Sequence, residues 1–226
     1  NIGVDELYCN PHWPLNEEFS RKIASQGEIP SKIHNNCSGK HTAMLLMCQY
    51  FGFEYDQYWS KDHPLQKLLI DYLSDLFEYK LTNIAIDGCG APIPYIDSRN
   101  VIHAANKLLI EDSDIAEAWK RITSSMKENP YLVAGTGRFD SVLMDRSSQK
   151  LTAKVGAEGV IFLHSENDTK IMKSLDGSRR GADLLAIYFA REKGLIPVDL
   201  FEIEIETIYK KQEQEVGSIE IQEYIF

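Results

Sequence analysis

The tetrapeptide Ser165-Glu166-Asn167-Asp168 stands between two apolar, strand-like segments, Gly159-Val160-Ile161-Phe162-Leu163 and Thr169-Lys170-Ile171-Met172-Lys173. Two such segments joined by a short turn predict a β-hairpin, and a hairpin makes its two strands antiparallel. A purely parallel doubly wound sheet is therefore disfavoured. Further short strand-like runs bounded by glycine or polar residues are expected at Asn83 to Ile86, Tyr131 to Val133, Asp140 to Leu143 and Leu151 to Val155, with a terminal strand at Ile219 to Ile221. Helical spacing is clearest from Leu65 through Leu68, Leu69, Tyr72, Leu73 and Leu76 to Phe77, just after Pro64. A weaker helix is expected from Leu15 to Ala24. The run Ala43-Met44-Leu45-Leu46-Met47, apolar on all sides, predicts a buried helix that starts near Gly39 or Lys40. A last helix should present Leu184, Leu185, Tyr188 and Phe189 and stop at Gly194-Leu195-Ile196-Pro197. The reading is an α/β chain forming one domain over residues 1–226.

Composition removes several function classes. Lys and Arg total 24 against 34 Asp and Glu, and the net charge of -10 would repel nucleic acid and acidic membrane surfaces. No apolar run approaches the roughly 18 residues of a membrane span, so a small-molecule or protein partner is favoured. The cysteines, Cys9, Cys37, Cys48 and Cys89, are too few and too unevenly spaced for a disulfide framework, and no secretory signal precedes them. A reducing, cytoplasmic setting is expected.

Glycine-rich polar clusters recur at residues 35–41, 87–90, 135–140, 154–159 and 173–177, at strand ends or helix starts, where α/β scaffolds assemble sites. Gly39-Lys40-His41-Thr42 is no phosphate loop, because His34 stands where the motif needs glycine and His41 where it needs Ser or Thr. The helix start there would suit a substrate carboxylate; the plainer alternative is an N-cap by Ser38 with Cys37 a small buried hydrophobe. If Cys37 and Cys89 meet in space, two thiolates and a third donor make an open zinc site. Lys40 is placed to be that donor if its pKa is depressed, His41 or Asp87 would serve instead, and two unrelated buried cysteines are the plain alternative. Lys154-Val155-Gly156 is similar to the Lys-Thr-Gly element of Ser-x-x-Lys acyltransferases, although an exposed strand lysine is commoner. No Ser-x-x-Lys stands at a helix start with apolar flanks, and Ser31-Lys32 has the wrong spacing.

Taken in order, the strings NNCSGKHTAML, DGCGAPIP, GTGRFD, KVGAEGV and KSLDGS resemble the L-asparaginase II family, the type related to thermolabile bacterial and rhizobial enzymes rather than to the threonine-nucleophile asparaginases. The opening stretch Cys9-Asn10-Pro11-His12-Trp13-Pro14-Leu15 fits the same family, so the resemblance covers nearly the whole chain. It implies a serine β-lactamase and glutaminase-like fold, α/β/α layers around a largely antiparallel sheet, and hydrolysis of L-asparagine to aspartate and ammonia. Carried over residue by residue, it implies Cys37, Lys40 and Cys89 as zinc ligands, Asp87 as the neighbouring acid and Lys154 as the sheet lysine of the catalytic centre. The family's tendency implies a homodimer.

The implied mechanism is serine attack on the amide, with lysine as proton carrier, an acyl-enzyme ester and then water. Gly135 and Gly137 are backbone candidates for the oxyanion site, and Arg138 would make a two-point contact to a substrate carboxylate, or else a salt bridge to Asp140 or another carboxylate. The family's serine pair matches no position here. Because the chain begins Asn1-Ile2-Gly3 rather than with methionine, the N-terminal piece carrying the nucleophile is expected to be missing, and the chain alone is expected to be inactive. Two competing readings are a zinc-dependent amide hydrolase that uses metal-activated water and a catalytically inactive fragment that keeps the binding pocket.

Overall fold

The structure, a computed structural model, describes residues 2–199 together with the backbone of 205–209 and 215–220. The chain divides into two compact units, Asn1–Ala104 and Ala105–Phe226.

The first unit is built from helices and turns around one apolar cluster. Helix α1 (Glu17–Ser25) starts at Asn16, whose side chain accepts the Phe19 N–H, with Glu17 and Glu18 favourably placed at the positive end of the helix dipole. Helix α2 (Ser38–Phe51) ends at Gly52, which takes the left-handed conformation that a side chain would resist. Helix α3 (Pro64–Leu76) has proline at its first position and His63 as a capping acceptor for the Leu65 N–H. A two-stranded ribbon follows, β1 (Ile84–Ile86) and β2 (Pro92–Pro94), paired antiparallel with Ala85 opposite Ile93. Leu7, Cys9, Met44, Leu45, Cys48, Tyr58, Leu65, Cys89 and Ala91 form the core. The expectation that α2 is buried all round is corrected: Met44, Leu45 and Cys48 face the core, while Leu46 is 53% exposed. One side of the helix suffices to fill this small core.

Helix α4 (Ser98–Ile110) spans the point of division. The second unit continues with α5 (Asp114–Glu128), α6 (Pro130–Ala134), α7 (Phe139–Arg146), β3 (Leu151–Val155), β4 (Val160–Ser165), β5 (Thr169–Lys173) and α8 (Arg179–Glu192). A backbone pair, β6 (Ile205–Tyr209) and β7 (Glu215–Glu220), closes the described chain. Strands β3, β4 and β5 form one antiparallel sheet in that order, with Leu163 opposite both Ala153 and Lys170. Alternation sends Leu151, Ala153, Ile161, Leu163 and Met172 to one face, where they pack with Leu143 and Met144 of α7 and Ala182, Ala186, Ile187 and Ala190 of α8. The other face carries Thr152, Phe162 and His164, which meet α5: Thr152 donates to the Thr123 carbonyl, and Trp119 lies edge-on to Phe162. Helices thus cover both faces of this sheet, an α/β/α arrangement with antiparallel strands.

Three expectations change. Tyr131 to Val133 and Asp140 to Leu143 are not strands but lie in α6 and α7. Their apolar runs are short enough to suit either state; Pro130 at the first helical position decides the first, and extended Arg138 after left-handed Gly137 starts the second. On α8 the buried face is Ala182, Leu184, Ala186, Ile187 and Ala190, whereas Leu185 is 43% exposed. Alanines let the helix lie close to the sheet, and the larger side chains sit at its rim. The predicted terminal strand falls within β7, except that Ile221 lies outside the described residues.

Candidate functional site

The turn before α2 delivers Cys37. Asn35, itself buried, accepts the Cys37 N–H on its side-chain oxygen at 2.8 Å and donates from Nδ2 to the Asn10 carbonyl, so a hydrogen-bonded amide fixes the approach to the helix. Ser38 is the first helical residue rather than the N-cap; Cys37 holds the cap position without a side-chain capping bond. The first turn of α2 then carries Lys40 and His41. After β1 comes a tight turn in which the Gly90 N–H bonds to the Asp87 carbonyl, the Asp87 N–H to the Ala91 carbonyl, and the Gly88 N–H to Asp87 Oδ1. That turn carries Asp87 and Cys89.

The two segments meet. Donor atoms of Cys37, Asp87 and Cys89 all lie within 4.8 Å of one another. Lys40 Nζ donates to Asp87 Oδ2 at 2.7 Å, and the Cys89 thiol lies 3.4 Å from the same oxygen. Burial pulls the Lys40 pKa down, but the hydrogen bonds it donates to Asp87 and then Cys89 outweigh it, and the ammonium is pushed up to about 12. The Lys40 bond in turn holds the Asp87 carboxyl below its usual range against the opposing effect of burial. Burial raises the Cys37 thiol despite the Lys40 charge beside it. All four cysteines are free, and Cys9 and Cys48 are buried in the core.

Two thiols and a carboxylate suit a zinc ion. Zn–S bonds of about 2.3 Å in a tetrahedron place donors about 3.8 Å apart, so a group within 4.8 Å needs a contraction of about 1 Å or less. Lys40 meets this group through Asp87 and, as an ammonium, has no lone pair to give. His41 is not a member of the group. The depression lined by Thr82, Asn83, Ile84, Ala85 and Tyr95 on the ribbon is shallow and open, and none of the clustered side chains lines it.

The remaining candidates belong to the second unit. Lys154 Nζ donates to the Val155 carbonyl at 2.6 Å and lies 3.5 Å from Asp140 Oδ2; the lysine side chain is 51% exposed and the aspartate 1%. Asp140 also accepts the Val155 N–H on the outer edge of β3 at 3.1 Å, and its Oδ1 is buried without a partner among the described residues. Of the cations considered for Asp140, it is Lys154 and not Arg138 that pairs with it. Arg138 is half-buried at the start of α7. Gly135 and Gly137 both have positive φ, but the Gly135 N–H is spent on the Tyr131 carbonyl, which removes it as an oxyanion donor. Gly137 is exposed.

The Ser-x-x-Lys spacing itself does occur in the sequence. The string occurs at Ser124–Lys127, in the last turns of α5, and at Ser147–Lys150, after α7. Neither lies at a helix start. Ser147 is buried with its hydroxyl donated to the Met144 carbonyl, and Ser124 is on the exposed side of α5. Sequence reasoning also missed Asn35 as a support of the site, although it sat inside a motif already singled out.

The family model described as L-asparaginase II matches residues 1–221 of the chain. No curated protein matches it at a significant level. No helix among the described residues is long and apolar enough to cross a membrane.

Proposed function

Since the chain belongs to the L-asparaginase II family and is by that membership an asparaginase-type amidohydrolase, we propose that it hydrolyses the side-chain amide of L-asparagine to L-aspartate and ammonia. The observation that carries this reading is the grouping of Cys37, Asp87 and Cys89, with Lys40 bound to Asp87, inside the matched segment. On this reading Cys37 and Cys89 hold zinc, with Asp87, or a deprotonated Lys40, as the third ligand. Bound there, zinc would supply a fixed positive charge and tie the Cys37 and Cys89 turns together.

The chain's own residues have separate tasks. Lys154, steered by the Val155 carbonyl and the Asp140 carboxylate, is the ammonium that holds a substrate carboxylate or passes a proton to the departing amine. Arg138 makes the two-point carboxylate contact, and Gly137 is the remaining backbone donor for the oxyanion. The family's acyl transfer would run by addition of a serine hydroxyl, which none of the residues named here supplies, to the amide carbon, with its proton passed to the departing nitrogen, loss of ammonia and hydrolysis of the ester by water.

A second reading, a module that binds the amino acid without turning it over, is favoured by one observation: Ser147 is buried with its hydroxyl donated to the Met144 carbonyl, and Ser124 lies on the exposed side of α5 away from a helix start. Ammonia release from L-asparagine and L-glutamine by the zinc-loaded chain separates the two. Turnover that falls at least about a hundredfold in kcat in Lys154→Met, with KM little changed, supports the catalytic reading. Turnover untouched by that change contradicts the role of Lys154. Absence of turnover with L-aspartate still bound favours the binding module.

A further inference from the structure

We propose that Asp140 is a positioning residue whose one buried carboxylate ties the start of α7, with Gly137 and Arg138, to the end of β3, with Lys154, so that two glycine-rich segments of the chain present their groups in fixed register. Its importance for turnover rests on the reading of Gly137, Arg138 and Lys154 given above; the tie itself does not.

Strand β3 lies at the edge of its sheet, with β4 on one side only among the described strands. Backbone N–H groups alternate in direction along a strand. Because the Gly156 N–H turns towards β4 and bonds to the Val160 carbonyl, the Val155 N–H points outward. An outward N–H beside a packed helix needs an acceptor. Asp140 Oδ2 supplies it at 3.1 Å, from the first turn of α7. At the other end of the helix Ser147 does the same for Leu151: its Oγ accepts that N–H at 3.3 Å and donates its own proton to the Met144 carbonyl at 2.8 Å. Between Leu151 and Val155 the strand rises about 13 Å, and between Asp140 and Ser147 the helix rises about 10 Å. Helix α7 therefore runs antiparallel along the strand edge, fastened at both ends by a side chain.

The two fastenings differ in kind. Ser147 is neutral and buried. Asp140 is 1% exposed, its Oδ1 has no partner among the described residues, and the cation on its Oδ2 is Lys154, 3.5 Å away. A carboxylate so far out of water is costly unless a positive charge offsets it, so the pair constrains Lys154 as much as it serves Asp140. Lys154 Nζ also donates to the Val155 carbonyl at 2.6 Å. The N–H and the C=O of one residue, Val155, are thus held by the two halves of one ion pair. With two of its three N–H donors directed at these groups, the half-exposed ammonium keeps one for a ligand. Gly137 and Arg138 stand three and two residues before Asp140, on the approach to the same helix, so loss of the tie would free them together with the lysine.

The test compares Asp140→Asn, which keeps an oxygen for the Val155 N–H and removes the charge, with Asp140→Ala, which removes both, and with Ser147→Ala, which loosens the far end of α7. Lysines of the native chain are acylated sparingly and the modified peptides quantified by mass spectrometry, with exposed Lys120 as the internal reference; amide exchange at Val155 and Leu151 is followed by NMR. Relative to Lys120, Lys154 should react about three- to fivefold faster in both Asp140 variants, the size expected of a half-exposed ion pair, and stay within about twofold in Ser147→Ala. Exchange at Val155 should rise at least about tenfold in Asp140→Ala but stay within about threefold in Asp140→Asn, while Ser147→Ala should raise exchange at Leu151 alone. Because Asp140→Asn keeps the shape of the side chain, it decides the ion pair even if Asp140→Ala proves too unstable to purify. With L-asparagine, kcat should fall about tenfold in Asp140→Asn with KM little changed, and remain within about twofold in Ser147→Ala. Lys154 labelling unmoved by the Asp140 variants, or raised equally by Ser147→Ala, would overturn the proposal, as would an unchanged kcat in Asp140→Asn. Wild-type chain that shows no turnover would sink the reading of the site instead, and labelling and exchange would still decide the tie.

Discussion

Strand β4 and the Cys89 side chain are both largely buried, yet they are held in opposite ways. The strand has a hydrogen-bonded neighbour on each side and helices over both faces, so Ile161 and Leu163 are fixed many times over. Cys89 sits on a turn closed by its own backbone and set against the Tyr8 ring at Gly90, with thiol, carboxylate and ammonium groups gathered beside it. One region spends its burial on packing; the other keeps polar atoms close together at the edge of a core. Damage to the first should therefore appear as lost stability, and damage to the second as lost ligand geometry.

The largest effect should come from the sheet. Leu163→Ala opens a cavity under α8 and should cost about 2–5 kcal/mol in a urea unfolding experiment. A cost below about 1 kcal/mol would show that β4 is less tightly packed than its neighbours imply.

Next comes pH, which acts on the same sheet through His164. This residue is 4% exposed; Trp119 Nε1 donates to its Nε2 at 3.0 Å, so the proton is on Nδ1, directed at Thr169 Oγ1, 2.7 Å away. Burial, and then the Lys127 charge, lower its pKa from 6.5 to about 4. Above pH 6.5 both folded and unfolded chains carry it neutral and its full contribution is present. As pH falls from 6.5 the unfolded chain takes up a proton that the folded one refuses until about pH 4, so up to about 3 kcal/mol of stability is lost across that window. Urea midpoints measured from pH 7 to 4 should show the fall, and His164→Gln should flatten it.

Smaller changes fall on the first unit. Gly90→Ala must displace the Tyr8 ring and adopt a positive φ, at about 1–3 kcal/mol, and should weaken zinc binding at least as much as it lowers the melting temperature suggests. Cys48→Ala, on the inner face of α2, should cost about 1 kcal/mol and leave any zinc affinity unchanged, because that sulfur lies outside the Cys37, Asp87 and Cys89 group. Zinc affinity that drops with Cys48→Ala would erase the distinction between the core and the site.

What could be read from the residues follows the same division. Helix α3, the hairpin of β4 and β5, and the end of α8 were legible because their periodicity or turn chemistry is local. Residues 131–133 and 140–143 were misread because a three- or four-residue apolar run suits either state, and the deciding signals, Pro130 and the Gly137-Arg138 approach, lie just outside the runs. At the site, the motif residues Cys37, Lys40, Asp87 and Cys89 could be picked out in advance, but not that Lys40 would reach Asp87 47 positions away, since chain separation carries no distance. The Asn35 bridge from the Asn10 carbonyl to the Cys37 N–H was invisible for a related reason: it depends wholly on what the fold brings beside it.

The central proposal is that Cys37, Asp87 and Cys89, whose donor atoms lie within 4.8 Å of one another, would hold one metal ion. Cobalt(II), which reports its own ligands by colour, tests it most directly when titrated into the reduced, metal-free chain and then displaced with zinc. The account predicts one ion per chain, a thiolate-to-cobalt charge-transfer band that saturates at that ratio, loss of about half its intensity in Cys37→Ala or Cys89→Ala, and full intensity in Cys9→Ala. A chain that binds no cobalt, or whose band survives the loss of both Cys37 and Cys89, would contradict it.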